Sequence, residues 1–147
     1  MTTAPPVNGQ IIGMAHYATR AVLKRLLATS GITFHQSVAL TATADKGGII
    51  ERRRLIERMT GAVKLDVSVA EQTLSELTSA GLLEERPGEQ PLLALTAAGE
   101  ALEREHRTGV ADATAPLYAG LPAEDLATAG RVLTEVTARA NALLAAG

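Results

Sequence analysis

Leu74-Ser75-Glu76-Leu77-Thr78-Ser79-Ala80-Gly81-Leu82-Leu83-Glu84-Glu85-Arg86 passes from helical to extended patterning within one short stretch. Upstream, Ala70, Leu74 and Leu77 recur at helical spacing and define an inward face. Ser68, or Asp66 two residues earlier, is placed to satisfy free N–H groups at the start of this helix. Gly81 is placed to end it, because glycine enters the left-handed region without a Cβ penalty. Beyond it, Leu82 to Glu85 and Leu92 to Leu95 are short apolar runs separated by Arg86-Pro87-Gly88-Glu89-Gln90-Pro91. Proline and glycine there favour a chain reversal, so a β-hairpin is expected directly after the helix.

Working outward, Glu51 to Thr60 reads as a helix with Leu55, Ile56 and Met59 inward, joined to the next by a tight turn at Gly61 and Leu65-Asp66. Two helices so joined are a helix-turn-helix. Before them lie a helix from Thr33 to about Ala44, the turn Asp45-Lys46-Gly47-Gly48 and the pair Ile49-Ile50, short enough for a minimal strand. A first helix spans Gln10 to Thr29, with Ile12, His16, Thr19, Leu23 and Leu26 on one face and Gly31 at its end. After the hairpin, a long helix runs from Ala97 to about Ala119, breaking near Pro116 or Gly120, and Pro122 opens a last helix to about Ala145. Leu126, Leu133, Val136, Ala140 and Leu143 repeat at helical spacing along it.

The expected fold is mainly α: a winged helix-turn-helix with a small β-hairpin wing over about residues 33–96, and a helical dimerisation region built from the N-terminal (about 10–30) and C-terminal (about 97–146) helices. The apolar stripe of the last helix either covers the chain's own first helix or interleaves with a second copy. A homodimer is the preferred reading, because both ends of the chain carry the same surplus of apolar face.

The length of 147 residues suits a single domain spanning 1–147. Cysteine is absent, which excludes disulfides and thiolate metal sites. His16, His35 and His106 stand apart with no pair at i, i+4, so no metal site is expected. No Gly-x-Ser-x-Gly element, phosphate-binding loop or other catalytic signature occurs, so neither an enzyme nor a cofactor is expected. No segment reads as a signal peptide or membrane span, and a cytoplasmic protein is the simplest expectation. The formal charge of −2 argues against general coating of nucleic acid; any such contact must be local.

Three stretches carry a family resemblance. Leu74 to Arg86 resembles the recognition helix running into the first wing strand of the MarR family. Leu95-Thr96-Ala97-Ala98-Gly99-Glu100-Ala101-Leu102 resembles the family's exit from the wing, and Leu121-Pro122-Ala123-Glu124-Asp125-Leu126 its approach to the last helix. The resemblance spans nearly the whole chain from about Ile11. It implies a homodimeric, sequence-specific DNA-binding transcriptional regulator that sets two recognition helices into a pseudo-palindromic double-stranded operator. It also implies a repressor released by a small-molecule effector bound between the dimerisation helices and the DNA-binding lobe.

Candidate DNA contacts follow from charge and polarity. Lys46, Arg52, Arg53, Arg54, Arg58 and Lys64 stand against Glu51 and Glu57, a local excess of four positive charges; of these Arg52, Arg53, Arg54 and Lys64 are assigned to phosphates. Ser68, Gln72, Thr73 and Ser75 are expected on the outer face of the fourth helix as base readers. Arg86 is the remaining cation, on a wing whose tip, Pro-Gly-Glu-Gln-Pro, is shorter than the family pattern. Val67 to Leu83 holds Glu71 and Glu76 and no Lys or Arg. The alternative is therefore a winged-helix dimer with weak or no DNA binding that acts through protein contacts. For the effector, His16, Tyr17, Arg20 and His35 combine ring nitrogens, a phenol and a guanidinium suited to a small aromatic or phenolic acid.

Overall fold

Asn8 starts the first helix: its side chain accepts the Ile11 amide at 3.0 Å, satisfying one of the donors left free at a helix start. In the computed structural model, which describes residues 3–147, α1 (Gly9–Ser30) then runs to Gly31, whose φ of 75° closes it. At α2 (Phe34–Asp45) the Thr33 hydroxyl accepts the Gln36 amide while the Gln36 side chain accepts that of Thr33, both at 3.1 Å. This reciprocal pair fixes the start of the helix.

Gly47 and Gly48, both at positive φ, turn the chain into β1 (Ile49–Glu51) and α3 (Arg52–Ala62). The turn to α4 (Val67–Ser79) passes through Lys64 at φ 57°. Asp66 takes the N-cap position of α4, but neither it nor Ser68 supplies the expected side-chain cap. The exit follows expectation: the Gly81 amide donates to the Thr78 carbonyl at 3.1 Å and that of Leu82 to Leu77 at 3.0 Å, the paired bonds of a left-handed helix end.

β2 (Leu83–Arg86) and β3 (Leu92–Leu95) form the hairpin, with Leu83 opposite Leu95 and Arg86 opposite Leu92. β1 joins on the other side of β3, Ile50 opposite Leu93, giving the antiparallel order β1-β3-β2. Leu40 of α2, Leu55 and Met59 of α3, Leu74 and Leu77 of α4, and Leu83 and Leu93 of the sheet are almost wholly buried together. Burying each such side chain contributes about 1.5–3 kcal/mol, so α2, α3, α4 and the sheet share one core. This is a winged helix-turn-helix with a hairpin wing.

Thr96 then caps α5 (Ala97–Tyr118): its hydroxyl accepts the Gly99 amide at 3.0 Å and donates to the Gly81 carbonyl at 2.6 Å. The wing's end is thereby tied to the end of α4. The described residues divide into two compact units, one reaching Ala113 and one beginning at Thr114. α5 tolerates Pro116 in its last turn, and the chain breaks at Gly120. α6 (Ala123–Ala146) follows Pro122 and buries none of its residues. Of the apolar stripe, Leu126 is half-buried, whereas Leu133, Val136 and Leu143 are 41%, 40% and 76% exposed. Among the described residues, no helix is long and apolar enough to cross a membrane.

Candidate functional site

α4 presents Ser68, Gln72, Ser75 and Ser79 at successive i+4, i+3 and i+4 spacings, and all four are exposed. Thr73 does not join them. It is 3% exposed, and its hydroxyl donates to the Val69 carbonyl at 2.8 Å. Its distance of three and four residues from Ala70 and Leu77 turns it inward, so its expected role as a base reader is corrected. Glu71 and Glu76 are exposed on the same helix, and Glu76 accepts a hydrogen bond from the Gln36 side chain at 3.3 Å.

The cations around α4 differ in their ties. Arg52 shares a shallow depression of about 150 Å³ with Leu74, Ser75 and Thr78 of α4 and Glu85 and Leu93 of the hairpin, which sets it at the junction of α4 and the hairpin. Arg53 lies within 3.8 Å of Glu51 and 3.5 Å of Glu57, and Arg54 within 3.7 Å of Glu51. Exposed pairs of this kind are worth about 0.2–1 kcal/mol and are screened by salt, so a phosphate competes with them readily. The Lys64 ammonium donates to the Gly61 carbonyl at 2.6 Å, which holds it beside the turn between α3 and α4. Arg86 is exposed near the end of β2.

Arg58 points elsewhere. With Arg107, it lines a mainly apolar cavity of about 410 Å³ bounded by Leu23 of α1, Phe34, Val38 and Thr41 of α2, Val63, and His106 and Val110 of α5. His106 is 8% exposed, and its Nδ1 is buried without a hydrogen-bond partner. Burial lowers its pKa, outweighing the neighbouring Glu103 carboxylate, which acts in the opposite direction. Burial thus favours the neutral ring, whose Nδ1 is enclosed by the protein. Arg107 grips the buried Glu103 through Nε at 2.9 Å and Nη2 at 2.8 Å. The same Nη2 reaches Asp45 Oδ1 at 3.0 Å, while Arg58 reaches Asp45 Oδ2 at 3.4 Å. The cavity thus has mainly apolar walls, and among its lining residues are one histidine and two arginines that share a carboxylate.

None of the four residues expected to hold an effector lines this cavity. His16 and Tyr17 form an edge-on ring pair 5.3 Å apart on an exposed part of α1. Arg20 stacks over Phe34 at 5.1 Å and so touches a residue of the wall rather than the interior. His35 packs edge-on against Phe34 at 6.0 Å. The lining residues missed from sequence, His106, Arg107 and Arg58, sit on two helices remote in sequence from α1. The one local signal for them was an imidazole on an otherwise charged stretch of α5.

No family model matches the chain, and no curated protein matches it. Solved structures do. The chain is similar to a MarR-family transcriptional regulator from Rhodococcus sp. RHA1, at 18% identity and TM-score 0.73, covering 88% of this chain and 91% of that one. It is also similar to a mutant MarR from E. coli complexed with operator DNA, at 24% identity and TM-score 0.72, with 87% and 91% covered. A third is BpsR from Bordetella bronchiseptica, whose DNA binding is regulated by 6-hydroxynicotinic acid, at 20% identity and TM-score 0.74, with 88% and 97% covered. The fold is therefore that of MarR-type winged-helix proteins.

Proposed function

We propose that this chain is a ligand-responsive DNA-binding regulator of the MarR type, a cytoplasmic homodimer that binds a pseudo-palindromic operator and releases it when a small aromatic acid fills the cavity. The observation that carries the reading is the double duty of α3. Arg52 at its start sits beside the exposed face of α4, while Arg58, later in the same helix, lines the cavity. A ligand that moves Arg58 acts on the element that flanks the reading surface.

Arg52, Arg53, Arg54, Lys64 and Arg86 are assigned to phosphates, and Ser68, Gln72 and Ser75 to base edges. The effector site is assigned to the cavity around His106, with Arg58 and Arg107 at its polar side. The likenesses to an operator-bound MarR and to BpsR, whose DNA binding is regulated by 6-hydroxynicotinic acid, support the general reading of a ligand-responsive DNA-binding protein.

Titration of labelled upstream DNA at several salt concentrations tests the DNA half. Association should weaken steeply and log-linearly with salt, reflecting released counterions. Arg52→Ala with Arg53→Ala should weaken all sequences alike, whereas Gln72→Ala should change sequence preference. Absence of binding at low salt, or a flat salt response, overturns the reading. The absence of Lys and Arg from α4, together with the short wing tip, favours a second reading, a dimer that acts through protein contacts; that reading gains if DNA is ignored while the cavity still takes aromatic acids.

A further inference from the structure

We propose that Asp45 is a built-in competitor of the cavity's ligand: its carboxylate holds Arg58 and Arg107 until the anionic group of an aromatic ligand takes its place. The inference rests on the reading of the cavity as an effector site. Asp45 is the last residue of α2, Arg58 belongs to α3 and Arg107 to α5, so one carboxylate fastens three helices. Both arginines line the cavity, but Asp45 does not. Each arginine thus borders the cavity while its guanidinium is held by a carboxylate outside the lining.

The two grips differ. Arg107 is also held by the buried Glu103 at 2.8 Å, so it stays in place when Asp45 is lost. Among the described ion pairs, Arg58 is held only by Asp45, and at the longer distance of 3.4 Å. All three side chains of the bridge are at least 37% exposed, which makes it weak enough for a small ligand to displace. A bound carboxylate inserted beside Arg107 would draw Arg58 inward. Arg58 then changes its anchor from the end of α2 to the ligand, and α3 loses this one ion pair with α2 while their shared core remains. Selectivity follows from the same geometry: an uncharged ligand of the same shape fills the apolar space but cannot take over the arginines.

Isothermal titration without DNA tests this with 4-hydroxybenzoate and its neutral amide, 4-hydroxybenzamide, as probes. Asp45→Asn keeps the shape and removes the competing charge. It should tighten the acid about three- to tenfold and leave the amide unchanged. Arg58→Gln should weaken the acid, and the gain from Asp45→Asn should shrink in that background. Unchanged affinity of the acid in Asp45→Asn, an equal gain for the amide, or no binding of the acid to either protein overturns the proposal. Circular dichroism establishes that each variant is folded. Because DNA is absent, failure of the operator reading leaves this result standing.

Discussion

At the scale of single residues, Gly99 carries the most consequence for its size. A Cβ there would collide with the backbone carbonyl oxygen of Leu82, which cannot turn away because it accepts the Thr96 amide at 3.2 Å. Gly99→Ala should therefore lower stability by about 2–4 kcal/mol and the thermal midpoint by roughly 5–12 °C, as read by scanning calorimetry. This also explains why Leu-Thr-Ala-Ala-Gly was legible as a motif: Thr96 caps the helix and ties it to Gly81, and Gly99 permits the close approach. His106 was not legible, since its value lies in a cavity assembled from four helices. Its lowered pKa means that the unfolded chain takes up a proton before the folded chain does as pH falls below about 6.5. Stability from this group is thus complete above that pH and declines below it until the folded ring also protonates. Urea midpoints between pH 8 and 5 should show the decline, with a flatter profile in His106→Gln; parallel profiles would assign the pH dependence to other groups.

At the scale of elements, the helices and the hairpin could be read from spacing because each is specified locally, by Asn8, by the Thr33 and Gln36 pair and by the glycines at 31 and 81. Rotation about a helix axis is set by packing as well as by polarity. Thr73 has a polar side chain, which argues for the outer face, yet its spacing from Ala70 and Leu77 sends it into the core, where its hydroxyl finds the Val69 carbonyl. The polar face of α4 is consequently narrower than its composition implies, and Glu71 weighs more on it. Its carboxylate faces solvent on a helix with no compensating cation of its own. Glu71→Gln should tighten DNA binding about two- to fivefold at low salt, for every sequence alike, with the gain fading as salt screens the field. Fluorescence anisotropy at two salt concentrations checks it; a gain confined to one operator would make Glu71 a base reader instead of a source of repulsion.

For the whole molecule, the decisive question is what covers α6. The helix has 24 residues and is roughly 36 Å long, yet it buries none of them, while Leu133, Val136, Ala140 and Leu143 lie on one face. Leu117, Tyr118 and Leu121, just before it, are also exposed. An apolar surface of this extent is costly in water and marks an association site. A second copy is the simplest cover, since symmetry supplies the same face twice, and the proposed operator reading would require two α4 helices about 34 Å apart. Leu133→Asp with Leu143→Asp should therefore convert a micromolar dimer into a monomer by sedimentation equilibrium, with little change in helical circular dichroism. Operator affinity should fall at least about a hundredfold, because the two half-sites no longer bind through one linked body. Loss of the dimer with undiminished affinity would mean that each chain reads its site alone. A wild-type protein that sediments as a monomer would instead leave the exposed face of α6 to a different partner.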